Sequence, residues 1–274
     1  MANWDPELYL KFGEQRTRPA LDLALRSRVL VEASKATESG AAAASGASLE
    51  ILDLGCGPGN STAVLAAVFP GAALTGMDSS SEMIAAARAG GAAAEWIVAD
   101  ASAWEPKRSF DLVFSNAALQ WIPEQDVLLA RMWSWLRPGA LLAVQVPGNS
   151  ESGLHRALRR TVAGESWRSR FAGMDEAFRY HEPDFYYETL APLGAAADVW
   201  ESSYWHVLAS RQALIDWYSG TGMRPWLERL EDEAERQAFK DAVLEAAVAD
   251  YPLRPDGSVF FPFRRIFFTA LKVR

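Results

Sequence analysis

The chain has 274 residues, half of them apolar and 23% charged, a balance that excludes disordered, collagen-like and coiled-coil classes. At ~150 residues per domain the length allows one large or two small domains, with a core that needs no staples. The formal charge is −8, from 27 Lys and Arg against 35 Asp and Glu, and no basic run reaches five residues, so no nucleic-acid partner is expected.

A single cysteine, Cys56, excludes an intrachain disulfide framework and fits a reducing compartment. The apolar stretches fall short of the ~20 residues a membrane helix needs. The start, Met1 to Pro6, lacks the basic flank and apolar block of a secretory signal. A cytoplasmic setting without a membrane partner is therefore expected. A small anionic substrate stays compatible with the global charge, because a local pair of arginines can oppose it. The oligomeric state is not readable.

In chain order, a polar and aromatic stretch over 1–18 precedes a helical pattern from Pro19 to Ala36, with Pro19 suited to its first turn. Residues 34–48 collapse into Ala, Gly and Ser and predict a mobile connector. Short apolar runs then alternate with helical stretches, the mark of a parallel sheet covered on both faces. Strands are expected at Glu50–Leu54, Ala73–Asp78, Glu95–Ala99, Asp111–Ser115 and Leu141–Val146. Helices are expected near Ser61–Phe69, Ser80–Ala89 and Glu124–Leu136, and Ser79 to Glu82 has capping-box spacing. Beyond Pro147 the rhythm breaks. Helices are expected at Gly153–Phe171, Phe185–Leu193, Gln212–Tyr218 and Trp226–Ala249, with strands at Val199–Val207 and Val259–Val273.

These elements predict one α/β domain, a Rossmann-like doubly wound mostly parallel sheet with an N-terminal helical lid and helical cap insertions. Residues 1–36 would form the lid, 34–48 the connector and 49–146 the cofactor-binding core. Residues 147–257 would carry the cap with one core strand, and 258–274 the last strand.

The chemistry concentrates in Leu52 to Asn60, where the first strand meets the first helix. Gly55, Gly57 and Gly59 at every second position let a ligand lie against bare backbone, which implies a nucleotide-like cofactor. Asp78 closes the second strand, where a carboxylate can accept both hydroxyls of a ribose, and Asp100 closes the third, where adenine would lie. The nicotinamide fingerprint needs a third glycine at position 60, which is Asn60. A diphosphate on the helix N-terminus would also be repelled by Asp53, whereas a cofactor with an amino-acid end can pair its ammonium with that carboxylate. The pattern favours S-adenosylmethionine over a dinucleotide, with no metal.

On these residues the sequence resembles the class I S-adenosylmethionine-dependent methyltransferases over about 49–146. The flanks resemble the trans-aconitate 2-methyltransferase family, through Trp4 to Leu10, Arg16 to Ala20, Ser115 to Trp121, Tyr186-Tyr187, Ser203 to His206 and Thr221 to Trp226. The resemblance implies methyl transfer to a carboxylate of trans-aconitate or a similar small polycarboxylate. A carboxylate is already ionised at neutral pH, so no general base and no catalytic residue in that sense is expected. The cofactor-binding set adds Ser79, Met83, Ala101 and Asn116 to the residues above. The expected acceptor contacts are Tyr9, Arg16, Trp121, Tyr187, His206, Arg224 and Arg264, the arginines because their planar fork matches a carboxylate. His155 and His181 have no such setting. The alternatives are another small acceptor or carrier-bound thioester, a non-catalytic S-adenosylmethionine-binding protein, and a nicotinamide oxidoreductase.

Overall fold

The apolar runs pair into one seven-stranded sheet in the computed structural model, which describes residues 13–42, 48–176 and 178–273, with side chains of the first segment described for 17–36. Strand β1 (Glu50–Leu54) is buried at every position after its first, as a strand covered on both faces must be. With β2 (Ala73–Asp78), β3 (Glu95–Val98), β4 (Phe110–Asn116) and β5 (Leu136–Pro147) it forms a parallel array, and β6 (Ala195–Leu208) and β7 (Val259–Lys272) add antiparallel. The order is β3-β2-β1-β4-β5-β7-β6. The direction of winding therefore reverses between β1 and β4, and the crevice beyond their carboxyl ends is where such a sheet binds ligands.

The helices are α1 (Gly13–Ala42), α2 (Asn60–Val68), α3 (Ser81–Ala89), α4 (Gln125–Ser134), α5 (Gly153–Ala163), α6 (Pro183–Leu190), α7 (Arg211–Ser219), α8 (Arg224–Arg229) and α9 (Glu233–Ala247). Leu23 and Leu65, from α1 and α2, pack with Leu112, Phe114 and Phe267 on one face of the sheet. Leu128 and Tyr186, from α4 and α6, pack with Val113 and Phe268 on the other. Adjacent residues of β4 and β7 thus enter opposite layers, as the strand period of two requires.

The cap has a core of its own, in which Leu158, Trp217, Phe239 and Val243 meet Phe261 at the start of β7. Register explains where it sits. Pro147, the last residue of β5, pairs with Arg265, so Val259–Arg264 and their β6 partners run on past the end of the parallel strands. The cap packs on that projection, above the crevice.

Several sequence expectations are corrected. Helix α1 starts at Gly13, which puts Pro19 inside it, and it continues to Ala42, so much of the expected connector is helical. The cap of α3 is Ser80, whose hydroxyl accepts the Met83 N–H, one residue later than the capping-box spacing placed it. Gly164 ends α5 well before Phe171. The expected helix at 226–249 is two helices, parted because Asp232 caps α9 by accepting the Glu235 N–H at 2.7 Å.

Candidate active site

The loop between β1 and α2 is built by glycine where nothing else fits. Gly55 has φ +69°, and a Cβ there would sit 2.2 Å from Ala118 Cβ. Gly57 has φ +54° and a Cβ would meet no protein atom, leaving bare backbone on the ligand side. Gly59 has φ +92° but faces away, against Trp96 and Ala87, as the cap of α2.

The backbone donors of this loop are already engaged. Gly55 and Cys56 N–H both donate to the Met77 carbonyl, Gly59 N–H to the Cys56 carbonyl, and Gly57 N–H to Asp78 Oδ2 at 3.0 Å; Pro58 has no N–H. A diphosphate would find these amides spent and a carboxylate in its way. A cofactor that offers hydroxyls instead finds the carboxylates of Asp78 and Asp100, so the residues present fit S-adenosylmethionine.

Beyond the strand ends lies an outer cleft of about 2000 Å³ including its mouth. Gly55, Gly57, Asn60, Asp78, Ser79, Met83, Asp100, Ala101 and Asn116 line it together. Asp78 also accepts the Ser80 N–H, and burial raises its carboxyl above the usual range. Asp100 is exposed, and the Ser102 hydroxyl and N–H lower its carboxyl by bonding to Oδ1.

Asp53 is the main correction. It does not line the cleft; it is 1% exposed beneath the loop, and its Oδ2 accepts the hydroxyls of Ser61 and Thr62 at 2.7 and 2.6 Å. Burial, opposed by those two bonds, pushes its carboxyl up to about 6. Ser61, which donates to that carboxyl, lines the cleft, and Asp53 itself does not.

Behind the cleft an inner pocket of about 780 Å³ including its mouth opens between sheet and cap, sharing Asn116, Ala117 and Trp121 with it. Ala117 holds φ 56° at this junction, a conformation costly for a residue with a Cβ and common at functional sites. The pocket walls are aromatic, and no Asp or Glu is among the described residues lining it.

The acceptor contacts expected from sequence divide. Trp121 stands at the junction, and Arg224 lines the outer cleft from the cap, with its guanidinium 5.6 Å from the Trp121 ring and paired to Glu228 at 3.1 Å. Arg264 is turned away: it ion-pairs with Glu182 and Glu201 on the opposite face. Its neighbour Arg265, which sequence reasoning missed, is 4% exposed and lines the inner pocket with Phe263 and Phe261, two and four residues back on the same side of β7. Tyr187 is exposed on α6, and it is Tyr186 that is buried, against Phe268. His206 lies behind the wall against Trp217, where burial, then Arg265 and Arg18, pushes its pKa down to about 4; no carboxylate among the described residues holds it charged. Tyr9 and the side chain of Arg16 lie outside the described residues. His155, set aside on sequence, is in the wall, with burial pushing its pKa down to about 4.

Sheet order, glycine loop and cleft define the class: an S-adenosylmethionine-dependent methyltransferase. The Methyltransferase domain family matches residues 51–139. Trans-aconitate 2-methyltransferases of Methylobacterium radiotolerans and Azoarcus sp. are 41% and 38% identical, over 99% of this chain and 99% and 100% of theirs. That of Escherichia coli O8 is 37% identical over the full length of both chains. The chain belongs to the trans-aconitate 2-methyltransferase family. Among solved structures, the plantazolicin methyltransferase BpumL in complex with S-adenosylhomocysteine shares the fold at TM-score 0.51 and 14% identity, covering 98% of this chain and 90% of that one. Phosphoethanolamine N-methyltransferase 2 of Haemonchus contortus does so at TM-score 0.51 and 19% identity, covering 85% and 50%. Among the described residues no helix is long and apolar enough to cross a membrane.

Proposed function

We propose that the protein transfers a methyl group from S-adenosylmethionine to one carboxylate of trans-aconitate, giving the monomethyl ester and S-adenosylhomocysteine. The observation that carries this reading is the inner pocket: in a chain of net charge −8, the described residues that line it include Arg265 and no acid, and it opens onto the glycine-loop cleft at Asn116 and Trp121. The names of the full-length relatives support the same acceptor.

When bound, the cofactor supplies the electrophilic methyl on sulfur. Asp78 would accept its ribose hydroxyls, Asp100 would face its base, and the buried charge of Asp53 would attract its ammonium. Asn116 and Trp121 orient the reacting carboxylate where the two spaces meet. Arg265 holds a second carboxylate within, and Arg224, drawing away from Glu228, holds another on the cleft side. The nucleophile is ionised before it arrives, so alignment and exclusion of water do the catalysis, and orientation of this kind supplies up to about 7 to 11 kcal/mol. Helix α1, through Thr17 and Ala20, and the cap, through Arg224, Pro225 and Glu228, close the cleft as lids. We place the reaction in the cytoplasm, where the single buried thiol of Cys56 stays reduced.

The test is transfer of labelled methyl from S-adenosylmethionine across a panel of di- and tricarboxylic acids. Trans-aconitate should give the highest kcat/KM and a product cleaved by mild base. A base-stable product, or no acid turned over, would sink the reading.

A further inference from the structure

The inner pocket holds hydroxyl donors that the fold itself does not use. Tyr218 is 4% exposed and its hydroxyl has no hydrogen-bond partner among the described residues. Leaving a buried hydroxyl unsatisfied is costly, so a wall position for it calls for a ligand. Its ring is pinned. It meets His155 edge-on with centroids 5.2 Å apart, and Gly222 lies so close that a Cβ there would be 2.2 Å from Tyr218 Cε2.

Tyr180 lines the same pocket, with its oxygen 2.8 Å from His155 Nε2. Ser152 caps α5 by accepting the His155 N–H, and its oxygen lies 3.1 Å from Nδ1. In one of the two tautomers open to His155, the Ser152 hydroxyl donates to Nδ1. His155 then carries its own proton on Nε2 and donates it to the Tyr180 oxygen. The Tyr180 hydrogen is thereby left to donate into the pocket. Burial raises the ionisation of both phenols well above the usual range, so each acts as a donor. Arg265, bonded to Gln145 at 3.1 Å and lying 4.3 Å from the Phe263 centroid, supplies the positive charge.

Two hydroxyl donors and a guanidinium around an aromatic space with no acid among its described lining match the acceptor lone pairs of a carboxylate. We infer that Tyr180 and Tyr218 form a clamp which, with Arg265, seats a non-reacting carboxylate of the acceptor, and that Ser152 and His155 aim the Tyr180 hydroxyl at it. The inference rests on the acceptor reading above. Tyr180 and Tyr218 are specificity residues on this account, and His155 is a positioning residue.

The test is calorimetric titration of trans-aconitate into the S-adenosylhomocysteine-saturated protein and its Tyr180→Phe, Tyr218→Phe and His155→Gln variants. Each tyrosine variant should lose about tenfold in acid affinity, the effect of one charge-assisted hydrogen bond, with S-adenosylhomocysteine affinity unchanged as the control for folding. In steady state the loss should fall on KM, leaving kcat within a few-fold. His155→Gln should lose as much as Tyr180→Phe, and the pair no more than either alone, which a purely structural role of His155 would not produce. Unchanged acid affinity in both tyrosine variants overturns the clamp, and additive losses overturn the role of His155. If the wild type binds S-adenosylhomocysteine but no trans-aconitate, the acceptor reading falls instead. Acetate, succinate and citrate titrated into wild type and Tyr218→Phe then judge the clamp by itself: a loss in the variant sustains it, and equal or absent binding overturns it.

Discussion

Asp53 holds a charge where the fold would be more stable without one. Its carboxyl titrates near 6 in the native state against 3.8 in the open chain, so the native protein keeps an extra proton between those values. The cost of burying the charge is therefore absent below about pH 4, grows as pH rises through that window, and is complete above about pH 6. Asp53→Asn retains an oxygen for Ser61 and Thr62 and removes the charge. By denaturant titration it should be more stable than wild type at pH 7.5, by about 2 to 3 kcal/mol, and equal to it at pH 4. Its S-adenosylmethionine affinity should fall by about tenfold at pH 7.5, the 1 to 2 kcal/mol of one ion attraction at an effective dielectric near 20. Equal stability at both pH values would mean the carboxyl is not strained by burial. Unchanged affinity would mean that its field does not reach the cleft.

At the scale of elements, β7 decides which arginine serves the acceptor, because neighbouring residues of a strand face opposite ways. Arg265→Gln should raise the KM for trans-aconitate by about 100-fold, the loss of a charged partner from a dry site. Arg264→Gln should leave KM alone and lower stability by about 0.5 to 1 kcal/mol, the worth of partly exposed ion pairs. A KM effect confined to Arg264→Gln would reverse the assignment. Sequence reasoning named Arg264, and the reason is physical. The last strand and its period were legible, but aromatic residues occupy both its faces, at Phe260 and Phe261 alike, so composition did not say which face turned inward. Glycine loop, Asp78 and Asp100 were legible because backbone geometry and strand ends fix their places locally. Tyr180 and His155 were not: Tyr180 sits in an irregular stretch without period, and His155 meets Tyr180 only when that stretch packs on α5.

For the whole molecule, the two spaces meet at Asn116, Ala117 and Trp121, while the segments over them belong to different cores. Helix α1 packs with the sheet and α8 with the cap, and both reach the outer cleft. Pro19 lies inside α1 beside the cleft-lining Thr17 and Ala20, and with no N–H it cannot bond the carbonyl four residues back, so the first turns are weakly tied. Segments held this way should sit at the low end of local stability. A ligand at about a hundred times its Kd stabilises whatever state binds it by about 2.7 kcal/mol. With S-adenosylhomocysteine and trans-aconitate both saturating, amide exchange in α8 and in α1 around Ala20 should therefore slow by up to about 100-fold, while β1 and β4, already protected by the central sheet, change little. With S-adenosylhomocysteine alone the slowing should be partial, because Arg224 then lacks the acid it is assigned to hold. Hydrogen exchange read by mass spectrometry separates these cases. Protection confined to the glycine loop, with α1 and α8 exchanging as in the free protein, would show that neither segment is a lid.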